Sequence, residues 1–317
     1  MLDVLGSVTA PGREGRPNED GCGTVGPFAF VIDGATGLGH EPLLDGPSDA
    51  QWLTSALIAS FHAHGDRVDS PLELMQWAVR DTELRFTQER RRSPQERYEI
   101  PTAAVLVAQF TDGHVDIAEL GDCALYLRDG AGISRYGGTA RGRALEQENA
   151  RKMMGRGGGR SPEVVAFLRA IRNKANTPKG YPIIAPEAGS ADRARVFRHA
   201  INGPCEALFL SDGFDAAIED YGLYDGEGLM DAARSGLSGP LEALRAVERD
   251  DPDCVRYPRF KQGDDATALY VRSGAVQPAS AMDGRETGKA DHDTTTTRSA
   301  HAAVGGSHPW DGDGKGR

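Results

Sequence analysis

The sequence predicts an α+β fold in which helices pack on layered antiparallel sheets, and three features indicate it. Residues 28–32 form an apolar run that stops on Asp33 and Gly34. Such a run, bounded by turn-forming residues, is typical of a strand buried on both faces. Two segments with apolar residues at helical spacing follow this run, and pairs of strand-like segments joined by tight turns come after them. Separate groups of strands and helices of this kind build layered α+β domains.

The first 47 residues are expected to form strands around an irregular loop. A short strand at the amino terminus is followed by a loop rich in Gly, Arg and Pro from Pro11 to Asn18. The acidic pair Glu19-Asp20 comes next, directly ahead of the central strand. Asp33 therefore leaves the sheet at a strand end, where functional residues usually collect.

Two amphipathic helices are predicted after the central strand. Ser48 can cap a helix in which apolar residues between Trp52 and Phe61 recur at intervals of three and four. Ser70 precedes Pro71, which suits the first position of a helix, and the apolar residues of 72–86 form one stripe. The two helices are expected to lie side by side on one face of a sheet.

Between residues 100 and 135 the apolar residues follow the period of strands. Asp112-Gly113 separates two strand-like runs, and Asp129-Gly130 starts a further hairpin. An Asp-Gly pair between such runs is a strong hairpin signal. We expect these strands to form an antiparallel meander.

From Gly137 to about Arg195 the sequence loses the strand pattern. Its glycine-rich stretch Met154–Arg160 lacks the Gly-Lys-Ser/Thr ending of a nucleotide-binding loop, so a mobile surface loop is favoured over a phosphate cradle. A helix is expected to start at Ser161. Strands are expected again from Ala207, and after one more helix the last strand ends near Arg272.

Residues 274–317 differ in composition from the rest of the chain. They are dominated by Ala, Gly, Ser, Thr, Asp and His. Such a segment cannot bury enough apolar surface to offset its ordering entropy. We therefore expect a folded domain over 1–273 and a disordered tail over 274–317.

Composition narrows the class of protein. With 317 residues, of which 39% are hydrophobic and 26% charged, the chain can bury a sizeable core. The net charge of −11 argues against nucleic-acid binding. Widely spaced cysteines without a Cys-x-x-Cys pair, and no long apolar run, lead us to expect a reduced, cytoplasmic setting without membrane insertion. We also expect a monomer.

Acidic residues recur beside the ends of the predicted strands. The four groups are, in chain order, Glu19-Asp20, Asp33-Gly34, Asp212-Gly213 and Asp264-Asp265. A single Asp-Gly is commonly only a turn, because both residues are favoured there. Carboxylates that gather in one place repel one another unless a cation offsets the repulsion. The set of four therefore indicates a metal site.

Together with Gly121-Asp122, these groups form a series of five motifs. In order they are Glu-Asp, Asp-Gly, Gly-Asp, Ser-Asp-Gly and Asp-Asp-x-Thr. The series resembles the metal-dependent protein serine/threonine phosphatases of type 2C, in a divergent bacterial form, over about residues 1–272. The resemblance implies a four-layer α-β-β-α sandwich of two antiparallel sheets flanked by helix pairs. It also implies a centre of two Mn²⁺ or Mg²⁺ ions at one end of the sandwich, with a third, weaker ion in some members.

The resemblance implies a role for each acid. Asp33 would bridge the two ions and so act directly in catalysis. The remaining ligands would be the Glu19-Asp20 pair and the Gly34 carbonyl at one ion, Asp212 and Asp264 at the other, and Asp122 at a third. Oxygen ligands suit hard cations such as Mg²⁺ and Mn²⁺. Two such ions lower the pKa of a shared water, which then attacks phosphorus.

The sequence departs from the family pattern at several positions. The arginine that usually holds the substrate phosphate is replaced by Gly15, and Arg16 is expected to take its place because a long side chain on a loop can absorb a shift of one residue. Ala35 stands where some members carry histidine. Asp265 replaces the usual Asn, and Asp215 comes one residue early after Ser-Asp-Gly.

The predicted function is hydrolysis of phosphoserine and phosphothreonine in proteins, opposing a serine/threonine kinase. Segment 137–206 occupies the place of the family's variable flap and is expected to shape substrate choice. The departures keep two alternatives open. One is a phosphatase-like regulatory or binding protein with weak or no turnover, and the other is a hydrolase of small phosphorylated metabolites.

Overall fold

A computed structural model describes residues 2–138, 147–152, 161–201 and 203–274. The strands are β1 (Leu2–Ala10), β2 (Gly21–Val25), β3 (Phe28–Ala35), β4 (Thr102–Thr111), β5 (His114–Leu120), β6 (Ala124–Asp129), β7 (Gly132–Gly137), β8 (Arg195–Ala200), β9 (Cys205–Leu210) and β10 (Ala266–Ser273). The longer helices are α1 (Asp49–His64), α2 (Pro71–Glu89), α3 (Pro162–Arg172), α4 (Asp212–Glu219), α5 (Gly226–Arg234) and α6 (Ser238–Asp250). The predictions for the glycine-rich stretch at 154–160 and for the tail beyond Gly274 lie outside the described residues.

Two antiparallel sheets of five strands form the centre of the fold. Their strand orders are β1-β10-β9-β6-β7 and β2-β3-β4-β5-β8. The sheets face each other across a core that contains Val31, Leu106, Leu125 and Phe209, all fully buried. Full burial of one such side chain contributes about 1.5–3 kcal/mol. The layered antiparallel sheets predicted from the sequence are confirmed.

Helices cover the outer face of each sheet. Helices α1 and α2 pack on the sheet that contains β3, through a cluster that includes Phe30, Phe61 and Leu74. Three shorter helices, α4 to α6, cover the other sheet, and Phe214 and Tyr270 lie in that cluster. These layers are the predicted α-β-β-α sandwich.

The predicted starts of α1 and α2 are confirmed by their caps. Ser48 Oγ accepts a hydrogen bond from the Gln51 backbone N–H at 3.1 Å, and Ser70 Oγ accepts one from Glu73 at 3.2 Å. Each bond satisfies a backbone donor that has no partner within the helix. Polar side chains thus fix where both helices begin.

The predicted meander is wrong in one respect, because its two hairpins lie in different sheets. The β4–β5 hairpin belongs to one sheet and the β6–β7 hairpin to the other. The chain crosses between them at Gly121-Asp122, where Gly121 has φ +106°. A Cβ on Gly121 would lie 2.3 Å from the Cβ of Ala104. Only glycine permits the chain to cross so close to Ala104. The alternation of apolar and polar residues within a strand does not show which sheet that strand joins.

The prediction that strands begin again only at Ala207 is also wrong. Strand β8 pairs with β5 at the edge of its sheet, and β9 already begins at Cys205. Four of the six residues of β8 are exposed, and two of the six are arginines. Charged side chains are common on edge strands because one side faces water. That composition conceals the strand pattern in the sequence.

The described part of the chain contains no helix that is both long enough and apolar enough to cross a membrane.

Candidate metal centre

The ends of strands β3 and β9 meet although they belong to different sheets. Asp33 lies near the end of β3, and Asp212 is the first residue of α4, with only Ser211 between it and β9. The Asp212 backbone N–H donates to Asp33 Oδ2 at 3.3 Å. The N-terminus of a helix carries partial positive charge, which favours a carboxylate there. Asp33 is thereby held at the edge where the two sheets come together.

Asp33 is the centre of an acidic cluster. Desolvation raises the pKa of its carboxyl well above the usual range, and neighbouring carboxylates raise it further. Those neighbours are, in order of effect, Asp212, Asp20, Asp122 and Asp264. The structure therefore brings together five of the acids that the motifs singled out, and they lie close enough to oppose one another's ionisation.

Asp20 is the second acid with a strongly shifted pKa. Desolvation raises its pKa to about 7; the charges of Asp264 and Asp265 add to this effect, while a side-chain hydrogen bond with Ser211 opposes it. Its Oδ2 atom is buried and has no hydrogen-bond partner among the described residues. An orphaned carboxylate oxygen inside a protein is costly. This oxygen is consequently available to a ligand that can offset its charge.

Ser211 of the Ser-Asp-Gly motif and Thr267 of the Asp-Asp-x-Thr motif have a structural role. Both residues are fully buried. The Ser211 N–H donates to the Thr267 carbonyl and the Thr267 N–H donates to Ser211 Oγ, each at 3.0 Å. The Thr267 hydroxyl also shares a hydrogen bond of 2.7 Å with Thr9. These bonds join the end of β9 to the start of β10, so the acids next to them keep a fixed separation.

Asp265 ties the loop that carries Glu19 to the start of β10. Its carboxylate accepts hydrogen bonds from the backbone N–H groups of Gly12, at 2.8 Å, and Glu19, at 2.6 Å. Asn offers only one acceptor oxygen, whereas Asp uses both oxygens here. The replacement of Asn by Asp at this position therefore has a structural role in closing the loop.

Gly34 lets this loop approach β3. A Cβ on Gly34 would lie 2.3 Å from the Glu19 carbonyl oxygen, which also accepts a 2.7 Å hydrogen bond from Thr54. The Glu19 side chain is only 4% exposed, and its charge acts on Arg172. Of the Glu19-Asp20 pair, Asp20 is the member whose charge acts on Asp33.

Lys261 is a site residue that the sequence analysis missed. Its Nζ lies 2.7 Å from Asp264 Oδ1 and donates to Thr36 Oγ1 at 3.2 Å. Desolvation opposes its charged form, but the carboxylates of Asp264, Asp212 and Asp33 outweigh this effect and raise its pKa. No motif marks it, because a lysine three residues before an acid is common in any loop.

Arg172 and Tyr181 bring the described part of segment 137–206 to the same edge. Arg172 Nη1 donates to the Thr36 carbonyl at 2.6 Å and its side chain is hydrogen-bonded to Tyr181. The charge of Asp122 in turn acts on Tyr181. On the same helix, α3, Arg169 Nη2 donates to the Leu38 carbonyl at 2.6 Å. Helix α3 thus lies against the loop that follows β3, and Arg172 is a second residue that the motifs did not mark.

Arg16 lies on an exposed turn, where its backbone N–H donates to the Arg13 carbonyl at 3.1 Å. The preceding Gly15 has φ +76°, a conformation that glycine adopts without strain. No ion pair between Arg16 and the acidic cluster occurs within the described structure. Asp215 is fully buried and hydrogen-bonded to Tyr126 and Arg135, each at 2.9 Å.

The acidic side chains offer the oxygen ligands that a hard divalent cation prefers, but they are not arranged around one ion position. All the converging side chains offer oxygen, which Mg²⁺ and Mn²⁺ prefer. The orphaned Asp20 oxygen and the mutual repulsion of the acids both call for positive charge. As they stand, however, no three Asp, Glu, His or Cys side chains of the described residues are placed to hold one ion. The carboxylates would have to rearrange to surround a cation.

A pH dependence of stability follows for the metal-free protein. Asp20 has a pKa of about 7 in the folded protein against an ordinary value of 3.8, so the folded state binds more protons between these values and its stability falls as pH rises. Asp20→Asn removes this loss. In chelator, we expect the difference in melting temperature between Asp20→Asn and wild type to grow by about 3 °C or more, in favour of the variant, as pH rises from 4 to 7.5. This is the shift that ~1 kcal/mol produces in a domain of this size. A difference that stays constant across this pH range would contradict the assignment.

Comparison with known proteins identifies the fold. No protein-family model and no curated protein matches the sequence. The serine/threonine phosphatase PstP/Ppp of Mycobacterium tuberculosis matches with a TM-score of 0.53 at 13% identity, over 85% of this chain and 97% of the phosphatase. The photosystem II phosphatase PBCP matches with a TM-score of 0.53 at 14% identity, over 87% and 100%. The catalytic domain of PstP in complex with two manganese ions matches with 0.50 at 15% identity, over 85% and 97%. This chain therefore has the fold of these phosphatases, as the order of its acidic motifs predicted.

Proposed function

We propose that this chain is a metal-dependent phosphatase that removes phosphate from phosphoserine and phosphothreonine in proteins. The observation that carries the proposal is the convergence of acids from several elements on Asp33, at one edge of the sandwich. A cluster of like charges is costly without a cation. The fold shared with serine/threonine phosphatases supports the reaction class, and the proposed substrate is the one their names give.

The chain's own residues would hold the cations and orient the substrate. Asp33 is the proposed ligand shared by the two ions; Asp212 and Asp264 would complete the set at one ion, and Asp20 with the Gly34 carbonyl at the other. Asp122 is the candidate for a third. Bound Mn²⁺ or Mg²⁺ would supply an activated water and offset charge on the phosphoryl oxygens. The N–H of Asp212 would keep the Asp33 carboxylate oriented while it serves both ions.

A covalent route through cysteine is disfavoured by the state of the thiols. Burial raises the pKa of Cys22 to about 11, with a further contribution from Asp20, and raises the pKa of Cys123 well above its usual range. Only a thiolate is an effective nucleophile. Both cysteines near the cluster therefore stay protonated at neutral pH, which favours attack by water.

Arg172 is the proposed ligand of the substrate phosphate. It reaches the end of β3 through its bond to the Thr36 carbonyl, and its guanidinium is always charged. Charge-assisted hydrogen bonds from arginine suit phosphate oxygens. Arg16, the candidate from the sequence, sits on an exposed turn, where the described residues give its side chain no such anchor. Arg172, in segment 137–206, would thus provide the positive charge for substrate phosphate that is missing at Gly15.

Phosphate release from several substrates tests the substrate class. With Mn²⁺ present, we expect phosphoserine and phosphothreonine peptides to be hydrolysed at least about tenfold faster than sugar phosphates or nucleoside monophosphates, a difference of ~1.4 kcal/mol in transition-state binding. The reverse order would indicate a hydrolase of small metabolites. Peptide binding without phosphate release would indicate the regulatory alternative.

A further inference from the structure

A positively charged side chain already lies where the acidic cluster would bind a metal ion. Lys261 Nζ is 2.7 Å from Asp264 Oδ1, and its second contact, Thr36 Oγ1 at 3.2 Å, lies just beyond β3 and Asp33. One ammonium group therefore bridges the loop before β10 and the end of β3. Two of the proposed ligands of one ion, Asp33 and Asp264, come from these elements.

We propose that Lys261 is a built-in cation of this centre, which occupies the side of the site formed by Asp264 and has to leave before a metal ion binds there. The inference rests on the proposed function and extends it to the control of metal affinity. It also accounts for the absence, among the described residues, of three acids placed to hold an ion. While the lysine is in place, Asp264 already has a positive partner.

The charges around Lys261 favour this arrangement. Asp264, Asp212 and Asp33 all attract its ammonium group. A single charge can offset only part of the cluster, whereas a divalent ion can offset more and accepts several oxygen ligands at once. The side chain keeps 46% of its surface exposed, so it can swing into solvent without unpacking the core. Exchange between ammonium and metal is therefore sterically open.

Competition of this kind has a direct consequence for binding. A metal ion must displace Lys261 from Asp264, so part of the binding free energy is spent on separating that ion pair. Removing the ammonium group should raise the affinity for the displaced ion. Retaining the charge in another side chain should leave the affinity low. Because Lys261 competes with the metal, the occupancy of the metal position at Asp264 would depend on metal concentration in a range where the other metal position is already filled.

The test is the affinity of the full chain for Mn²⁺, measured by calorimetric titration. We expect Lys261→Met to bind the weaker ion about tenfold more tightly than wild type, which corresponds to ~1.4 kcal/mol. Lys261→Arg keeps the charge and should stay near wild type. Lys179→Met removes a lysine from the exposed part of the same segment as Arg172 and should change nothing. If Lys261→Met does not fold without metal, the dependence of its melting temperature on Mn²⁺ concentration gives the same affinity.

The outcomes separate this inference from the function on which it rests. Equal or weaker Mn²⁺ binding by Lys261→Met, with wild type still binding Mn²⁺, would overturn the role of Lys261 and leave the metal centre intact. Absence of Mn²⁺ binding in wild type and in every variant would overturn the centre itself, and the inference with it.

Discussion

Asp33→Asn should abolish metal-dependent phosphate release and leave the fold intact. Asp33 is the acid on which Asp20, Asp122, Asp212 and Asp264 all act, so its charge is the one that two ions would share. Loss of a group that only supports a metal ligand typically costs about 10–100-fold. We expect the loss of this ligand to exceed that range. The measurement is the rate of phosphate release from a phosphoserine peptide at saturating Mn²⁺.

The fold of the variant is predicted from the same electrostatics. In the metal-free protein the pKa of Asp33 is raised, so its ionised form costs stability. The uncharged amide should therefore melt no lower than wild type in chelator. Asp112→Asn is a matched control, because Asp112 lies in the exposed β4–β5 turn and Asn-Gly suits a hairpin turn as well as Asp-Gly. Retained activity in Asp33→Asn would remove the basis of the metal assignment.

Arg172→Ala should lower kcat/KM on phosphopeptides by about 10–100-fold, whereas Arg16→Ala should change it little. The expected size follows from the loss of hydrogen bonds to a charged group, worth about 1.5–3 kcal/mol. Arg172 is anchored at the end of β3 by the Thr36 carbonyl, and Arg16 lies on an exposed turn. Steady-state kinetics of both variants decide between the two arginines.

Two further variants separate phosphate binding from placement of helix α3. Arg172→Lys keeps a positive charge and should recover part of the loss in KM. Arg169→Ala removes the neighbouring bond to the Leu38 carbonyl but no proposed phosphate ligand, so its effect should be smaller. A large loss in Arg16→Ala together with normal kinetics in Arg172→Ala would reverse the assignment.

The motif residues were predictable because each has a local reason for its place. The buried run ahead of Asp33 marks β3, and Ser48 and Ser70 mark helix starts through short-range hydrogen bonds. The order of the acidic groups predicted both the fold and the convergence of Asp20, Asp122, Asp212 and Asp264 on Asp33.

The residues that the sequence did not reveal depend on long-range geometry. Arg172 meets the Thr36 carbonyl across 136 positions of the chain, and Lys261 meets Thr36 across 225. No periodicity or local motif reports such pairs. Strand β8 was missed for a different reason, since its charged residues lie on an exposed edge. The crossing of the chain from one sheet to the other at Gly121 likewise depends on a tertiary contact, the close approach to Ala104.

Hydrolysis of a chromogenic aryl phosphate in Mn²⁺, in Mg²⁺ and in chelator, by wild type and by Asp212→Asn, tests the central claim most directly. Asp212 is the acid with the largest effect on Asp33, and its backbone N–H contact with Asp33 survives the substitution. We predict turnover by wild type in at least one of the two metals, none in chelator, and loss of turnover in Asp212→Asn. Turnover that persists in chelator or in Asp212→Asn, or a folded wild type that is inactive in both metals, would contradict the proposal that these carboxylates form a catalytic metal centre.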